Sequence, residues 1–267
     1  MIVIKNLHGG RFGNKVLHYN NLVQIAKFLD IDYNCVAYEP YTKLNLKNNF
    51  NSNGVTTFDI NAKVINNLSK ENLKDFFMEN YKGRLVNLTP CLGELFFKFD
   101  HDTREIFNIP KVAFNPLPSL TTNIGIHFRG GDFHTWNPES ILDKEYYINC
   151  IEDTLTTDSK YYLFTDDKSL PSYNQVIQYL KEKDINFELG FATEHGGDFL
   201  NDYKQLCDTD IIISSPSTFA ICAGFMGREK ECYHSKKWVD SRVKANDSFW
   251  VDLKKNLNKN YILKNTI

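Results

Sequence analysis

Between residues 124 and 226, short apolar runs alternate with longer segments of helical periodicity, and this alternation limits the fold more than any other feature of the chain. Ile124–Phe128, Tyr161–Phe164, Asn186–Leu189 and Asp210–Ser214 read as strands. Lys144–Leu155, Tyr173–Glu182, Phe199–Leu206 and Thr218–Met226 read as the helices that follow them. Strands separated each time by a helix are joined by crossovers, which makes them parallel. A run such as Ile211-Ile-Ile213, with no polar alternation, suits a strand covered on both faces.

The first part of the chain repeats the theme less regularly. Ile2–Leu7, Asn34–Tyr38 and Arg84–Leu88 read as strands. Val16, Tyr19, Val23 and Ala26 recur at three- and four-residue steps, marking a helix. Ser69–Glu79 is a second helix, with Ser69 as its N-cap. The Asn/Lys-rich segment from Tyr41 to Gly54 reads as an irregular loop. Pro110, Pro116 and Pro118 cluster in Asn108–Asn123 and discourage regular structure, so the linker is placed there. The expected organisation is α/β, with two Rossmann-like domains, residues 1–115 and 116–267, facing a cleft. In the tail, Trp238, Phe249, Trp250 and Tyr261 provide more aromatic surface than a disordered basic segment carries. Ser248–Leu257 is expected to be a helix docked on the body.

Composition narrows the function classes. The 267 residues are 42% hydrophobic and 14% aromatic, enough for a substantial core, and a net charge of -2 provides no basic field for nucleic acid. The amino-terminal residues turn polar too soon for a signal peptide, and no run approaches the ~20 apolar residues of a membrane helix. A soluble, cytoplasmic protein is expected. The six cysteines, Cys35, Cys91, Cys150, Cys207, Cys222 and Cys232, are scattered without Cys-x-x-Cys pairs, which fits buried thiols in a reducing compartment.

Chemistry is expected in the loops at the strand ends. In Ile124-Gly-Ile-His-Phe-Arg-Gly-Gly-Asp132, a strand runs into an arginine, two glycines and an acid. Backbone amides of a Gly-rich turn and the planar donor fork of Arg129 both suit phosphate oxygens. The same residues also make an ordinary turn. His8-Gly-Gly-Arg-Phe-Gly-Asn14 joins a strand to a helix N-terminus, a second anion-binding arrangement, or simply a glycine turn with a surface Arg11. Ser214-Ser-Pro-Ser-Thr-Phe219 precedes a helix and offers hydroxyls, or plain N-caps. Asp166, after a strand, suits a ribose hydroxyl, a base edge or a helix cap. Asp30-Ile-Asp32 and Asp208-Thr-Asp210 match the short Asp-x-Asp pattern that can hold a divalent metal, but their positions read as solvated turn carboxylates.

Together these segments resemble the fucosyltransferase superfamily. Gly-Gly-Arg-Phe-Gly-Asn14 resembles the amino-terminal motif of protein O-fucosyltransferases and the Gly-Gly-Leu-Gly-Asn-Gln start of α-1,2-fucosyltransferases. His127-Phe-Arg-Gly-Gly-Asp132 is similar to the His-x-Arg motif shared by the α-1,2-, α-1,6- and O-fucosyltransferases. Leu163-Phe-Thr-Asp-Asp167 and Asp210–Phe219 are similar to the second and third motifs of that group. Lys15 stands where glutamine is common, Gly130 where arginine often follows, and Pro216 interrupts the Ser/Thr cluster.

The resemblance implies a GT-B fold and metal-independent, inverting transfer of fucose from GDP-fucose to a glycan hydroxyl, with no cofactor. It assigns Arg129 to the departing diphosphate, His127 to a hydrogen bond beside the nucleotide and Asp166 to the guanosine. Ser215, Ser217, Thr218 and Phe219 would line the phosphate and fucose pocket, with Gly10, Gly13, Gly130 and Gly131 in the donor-binding turns. Arg11 and Asn14 would approach the sugar and acceptor from the first domain. Asp132, His134 and His8 are the nearby groups available to take a proton, with Asp132 grouped with the catalytic residues. The alternatives are a related transferase with another nucleotide sugar and a non-catalytic nucleotide- or glycan-binding module.

Overall fold

The computed structural model describes residues 1–44, 46–90, 120–190, 199–225, 230–245, 251, 254 and 261–264. The chain divides into two compact units, Met1–Pro110 with Asp247–Asn256 and Lys111–Asn246 with Leu257–Ile267. The proline-rich segment 108–119 lies outside the described residues, as do Cys91 and most of Ser248–Leu257.

The first unit is built on parallel strands β1 (Ile2–Ile4), β2 (Tyr33–Cys35), β3 (Phe58–Ile60) and β4 (Val86–Leu88), in the order β2-β1-β4-β3. Helix α1 (Phe12–Leu29) follows β1 and is stopped by Asp30, which adopts the left-handed conformation and donates its amide to Ala26 and Lys27 carbonyls. Its polar residues His18, Asn20, Asn21 and Gln24 are buried along with Val16, Tyr19, Val23 and Ala26, so α1 is an interior helix rather than a one-sided one. Helix α3 (Ala62–Asn67) precedes α4 (Lys70–Tyr81), and Ser69 caps α4 by accepting from the Asn72 amide at 3.2 Å. Part of the expected loop after Tyr41 is instead helical: α2 spans Glu39–Lys43. Tyr41 anchors it, donating to the Lys15 carbonyl at 2.6 Å and packing 4.9 Å from Tyr19.

The second unit has six parallel strands: β5 (Thr122–Phe128), β6 (Ser159–Thr165), β7 (Phe187–Leu189), β8 (Ile211–Ser214), β9 (Glu231–Ser235) and β10 (Tyr261–Lys264). Their order is β10-β9-β8-β5-β6-β7. Read from the opposite edge, this is the doubly wound order 3-2-1-4-5-6. The intervening helices are the single turn α5 (Phe133–Trp136), α6 (Lys144–Thr154), α7 (Pro171–Glu182), α8 (Phe199–Asp208), α9 (Thr218–Phe225) and α10 (Lys236–Lys244). The strand-helix alternation read from residue 124 onward is present, with ends shifted by a few residues.

Alternation along β5 sets the two faces of this sheet. Ile124, Ile126 and Phe128 enter a core cluster with Tyr146, Tyr147 and Ile151 of α6 and Tyr173 and Val176 of α7. Phe128 packs 4.2 Å from Tyr147 and edge-on to Tyr173. The intervening Gly125 and His127 face the other layer: a Cβ on Gly125 would lie 2.5 Å from Leu206 Cδ1 and 3.2 Å from Thr209 Cγ2. Cys150, Cys207, Cys222, Cys232 and, in the first unit, Cys35 are all buried thiols.

Asp210 has a structural partner: its Oδ2 accepts from the Asn123 amide at 2.8 Å, tying β8 to the amino end of β5. It is therefore not the solvated turn carboxylate expected of the Asp208-Thr-Asp210 segment. Among the described residues, no group of three His, Cys, Asp or Glu side chains gathers in a way that could hold a metal, and no helix is long and apolar enough to cross a membrane.

Candidate functional site

In the second unit, strand order reverses at β5: β6 and β7 lie on one side, and β8, β9 and β10 on the other. The carboxyl ends of strands at such a reversal leave a crevice where ligands bind in open α/β sheets. Three of the sequence motifs end there, on β5, β6 and β8, and the structure ties them together through side chains distant in sequence.

Arg129 leaves β5 with its side chain only 10% exposed. One guanidinium nitrogen donates to Asp166 at the end of β6, and the other to Asp132 Oδ1 at 2.5 Å. The guanidinium stacks over Phe133, 4.5 Å from the ring centroid. Asp166 also accepts from the Gly130 amide at 2.9 Å. A planar fork held at both prongs and on one face has lost much of the rotamer freedom it would otherwise give up on binding a ligand. The pair with the half-exposed Asp132 adds little to stability and mainly sets orientation.

The two glycines have different reasons to be there. Gly131 has φ +52, which favours a residue without Cβ. Gly130 has no such φ, but a Cβ there would sit 2.8 Å from Asp167 Cβ and 2.9 Å from Leu170 Cδ1. The first of these is close to backbone and cannot swing away. Gly130→Ala is therefore expected to lower stability by ~1–3 kcal/mol through overpacking, read as a lower denaturant midpoint at unchanged slope. A midpoint equal to wild type would show that the β5–β6 loops separate freely.

The amides of this turn are directed at the chain's own carboxylates: Gly130 at Asp166, and Gly131 at Asp167 Oδ2, 3.4 Å away. The open amide pair expected from the Gly-Gly sequence is thus filled internally in this structure. Asp166 accepts from both Arg129 and the Gly130 amide.

His127 lies deeper. Its Nδ1 is 2.7 Å from Ser215 Oγ at the end of β8, and its ring stacks on Phe219 at 5.3 Å, which in turn meets Tyr203 edge-on. Burial pushes its pKa down to about 4, although Asp166 pulls the other way, with Arg129 adding to the lowering. His127 is therefore neutral at pH 7 and acts as a hydrogen-bonding group, leaving Arg129 as the cation of the pair. The Ser/Thr loop divides its roles. Ser215 holds His127, while Ser217 receives the Phe219 amide at 3.3 Å as an N-cap, and α9 begins at Thr218. The first turn of α9 brings a helix N-terminus to the same end of the sheet.

In the first unit, Gly10, Arg11, Gly13 and Asn14 lie at the β1–α1 junction. Arg11 is extended and exposed, and Gly13 is buried in the first turn of α1. The Gly10 amide donates to His8 Nδ1 at 2.9 Å, and its carbonyl accepts from Lys15. A Cβ on Gly10 would lie 2.3 Å from Asn14 Nδ2. His8 and Lys15 thus brace this loop, which the sequence alone did not reveal. His134, also at the second-unit site, bonds Asp167 at 2.9 Å.

No family model matches the sequence. No curated protein matches it either. Among solved structures, the chain is similar to a crystal structure of POFUT1 in complex with GDP-fucose, with a TM-score of 0.48, 10% sequence identity, and coverage of 86% of this chain and 95% of that one.

Proposed function

We propose that this protein is a GT-B-like, inverting glycosyltransferase that moves fucose from GDP-fucose to a glycan hydroxyl without an essential metal. The observation that carries this reading is Arg129, fixed by Asp166, Asp132 and Phe133 at the strand-order reversal of a doubly wound sheet. The sequence motifs name the chemistry, and the geometry fits it. Cleavage of the sugar-phosphate bond gathers negative charge on the leaving diphosphate, and a preoriented cation acts where that charge develops.

In this reading, Arg129 and the first turn of α9, with Ser217 and Thr218, face the phosphates. Neutral His127 and Phe219 shape the floor, with Ser215 behind the imidazole. Gly130 and Gly131 let the Arg129 loop close onto Asp166 and Asp167. Arg11 and Asn14, with Gly10 and Gly13 in the same loop, are the first unit's residues assigned to the sugar and the acceptor.

Thermal unfolding with GDP, GDP-fucose, GDP-mannose and UDP, each with and without Mg²⁺, tests the donor site. A ligand at about 100 times its Kd adds ~2.7 kcal/mol. Stabilisation by GDP and GDP-fucose without metal is expected. Stabilisation by UDP alone, or only with Mg²⁺, would assign another donor chemistry, and no response to any nucleotide would overturn the enzyme.

A further inference from the structure

The turn after Arg129 carries two side chains that the donor reading does not use. His134 is half-exposed, and its Nε2 lies 2.9 Å from Asp167 Oδ2. Asp167 is fixed in its turn: the Ser169 amide and hydroxyl donate to Oδ1 at 2.9 and 2.5 Å, and the Gly131 amide reaches Oδ2. Partial burial would raise its pKa, but these donors, with His134, outweigh it and hold the carboxyl below its ordinary value. An ionised carboxylate only accepts, so Nε2 carries the hydrogen of this bond, and in the neutral ring Nδ1 is the nitrogen with the lone pair. A ring anchored by one nitrogen with the other basic is the arrangement of a general base and its orienting acid.

Trp136 provides a second, independent observation. It is 65% exposed, among the most exposed large apolar side chains described. Its ring is nevertheless held, packing 5.1 Å from Phe133, the same ring on which the Arg129 guanidinium rests. A water-facing indole packed on the ring that carries the central cation is open to a ligand bound beside that cation. The C–H face of a pyranose carries slightly positive hydrogens that pack on an indole's negative π face, while its hydroxyls stay in water.

We propose that the Phe133–Trp136 turn is the acceptor subsite: Trp136 receives the apolar face of a pyranose, and His134 takes the proton of the attacking hydroxyl. This rests on the donor reading above and extends it, because it gives the donor-holding unit a share of the acceptor. In the reaction, the acceptor oxygen bonds to the anomeric carbon of fucose as that carbon's bond to the β-phosphate oxygen breaks. The electron pair leaves with GDP, and the hydroxyl proton passes to Nδ1. Asp167 is a positioning residue. The other charged groups on this turn, Asp132 and Arg129, are paired with each other.

The test compares wild type with Trp136→Ala, His134→Asn, Asp167→Asn and Asp167→Glu. Calorimetry with GDP reports the donor site. GDP release from GDP-fucose, with galactose, N-acetylglucosamine, mannose and lactose as acceptors, reports transfer. Trp136→Ala is expected to keep its affinity for GDP while the acceptor KM rises by about tenfold or more, a loss of ~1.4 kcal/mol, at little change in kcat. His134→Asn is expected to lower kcat on the order of 100-fold, with KM nearly unchanged. Asp167→Asn should lower kcat in the same direction, with partial recovery in Asp167→Glu. If Trp136→Ala and His134→Asn both match wild type in kcat and KM, the subsite is overturned and the donor reading stands. If wild type binds no GDP, both fall.

Discussion

Arg129→Lys is expected to lose turnover by at least ~100-fold, about 3 kcal/mol, the scale of one lost oxyanion donor in a preorganised site. The reason is geometric as much as electrostatic. Asp166 and Asp132 hold two prongs of a planar fork, and Phe133 supports its face. A lysine ammonium is a point charge and cannot span both carboxylates while also presenting donors to a diphosphate. His127 cannot replace the missing charge, since burial keeps it neutral at pH 7. Turnover and GDP affinity, measured beside a melting curve, check this. A lysine variant that folds and keeps both within about threefold of wild type, under 0.7 kcal/mol, would sink the assignment of Arg129.

The second large effect is acid destabilisation from buried histidines. His18 in α1, His127 on β5 and His234 on β9 are each lowered to about 4, in every case chiefly by burial. An unfolded histidine titrates near 6.5, so between pH ~6.5 and ~4 the unfolded chain binds protons that the folded chain does not. Stability is therefore complete above pH ~6.5 and falls as the pH drops toward 4, by up to about 1.4 kcal/mol per pH unit for each histidine. The depressed carboxylate of Asp167 acts below this window and leaves it undisturbed. Denaturant midpoints from pH 7.5 to 4.5 should show the decline, and His18→Gln should make it shallower. A flat profile would mean that these imidazoles titrate in the fold as they do in the unfolded chain.

Much of this architecture is legible in the sequence where apolar periodicity decides the structure. Ile124, Ile126 and Phe128 specify a buried strand by composition alone, and Ser69 specifies a helix start by its side-chain chemistry. The parts that are not legible depend on partners far along the chain. β3 exists because the backbone of Phe58–Ile60 pairs with β4, while Phe58 itself stays exposed, so no apolar pattern announces it. α2 is hidden in an Asn/Lys-rich stretch and depends on Tyr41 reaching back to the Lys15 carbonyl. At the site, the motifs could be found but not their connections. Arg129 and Asp166 are 37 residues apart, and His127 and Ser215 are 88 apart. The Gly-Gly turn suggested open amides, and only the fold shows that Asp166 and Asp167 occupy them.

The strand order of the second unit also bears on how a chain emerging from the ribosome assembles it. β5 is synthesised first and ends in the middle of the sheet, and no later strand has to insert between two that are already paired. β6 and then β7 extend one side, and β8, β9 and β10 extend the other, so each arriving segment meets a standing edge. A parallel sheet has long loops to close and is intrinsically slow to form. Outward growth from the first-made strand confines the delay to one crossover at a time, with the strand that leads into Arg129 in place before any of its neighbours is made.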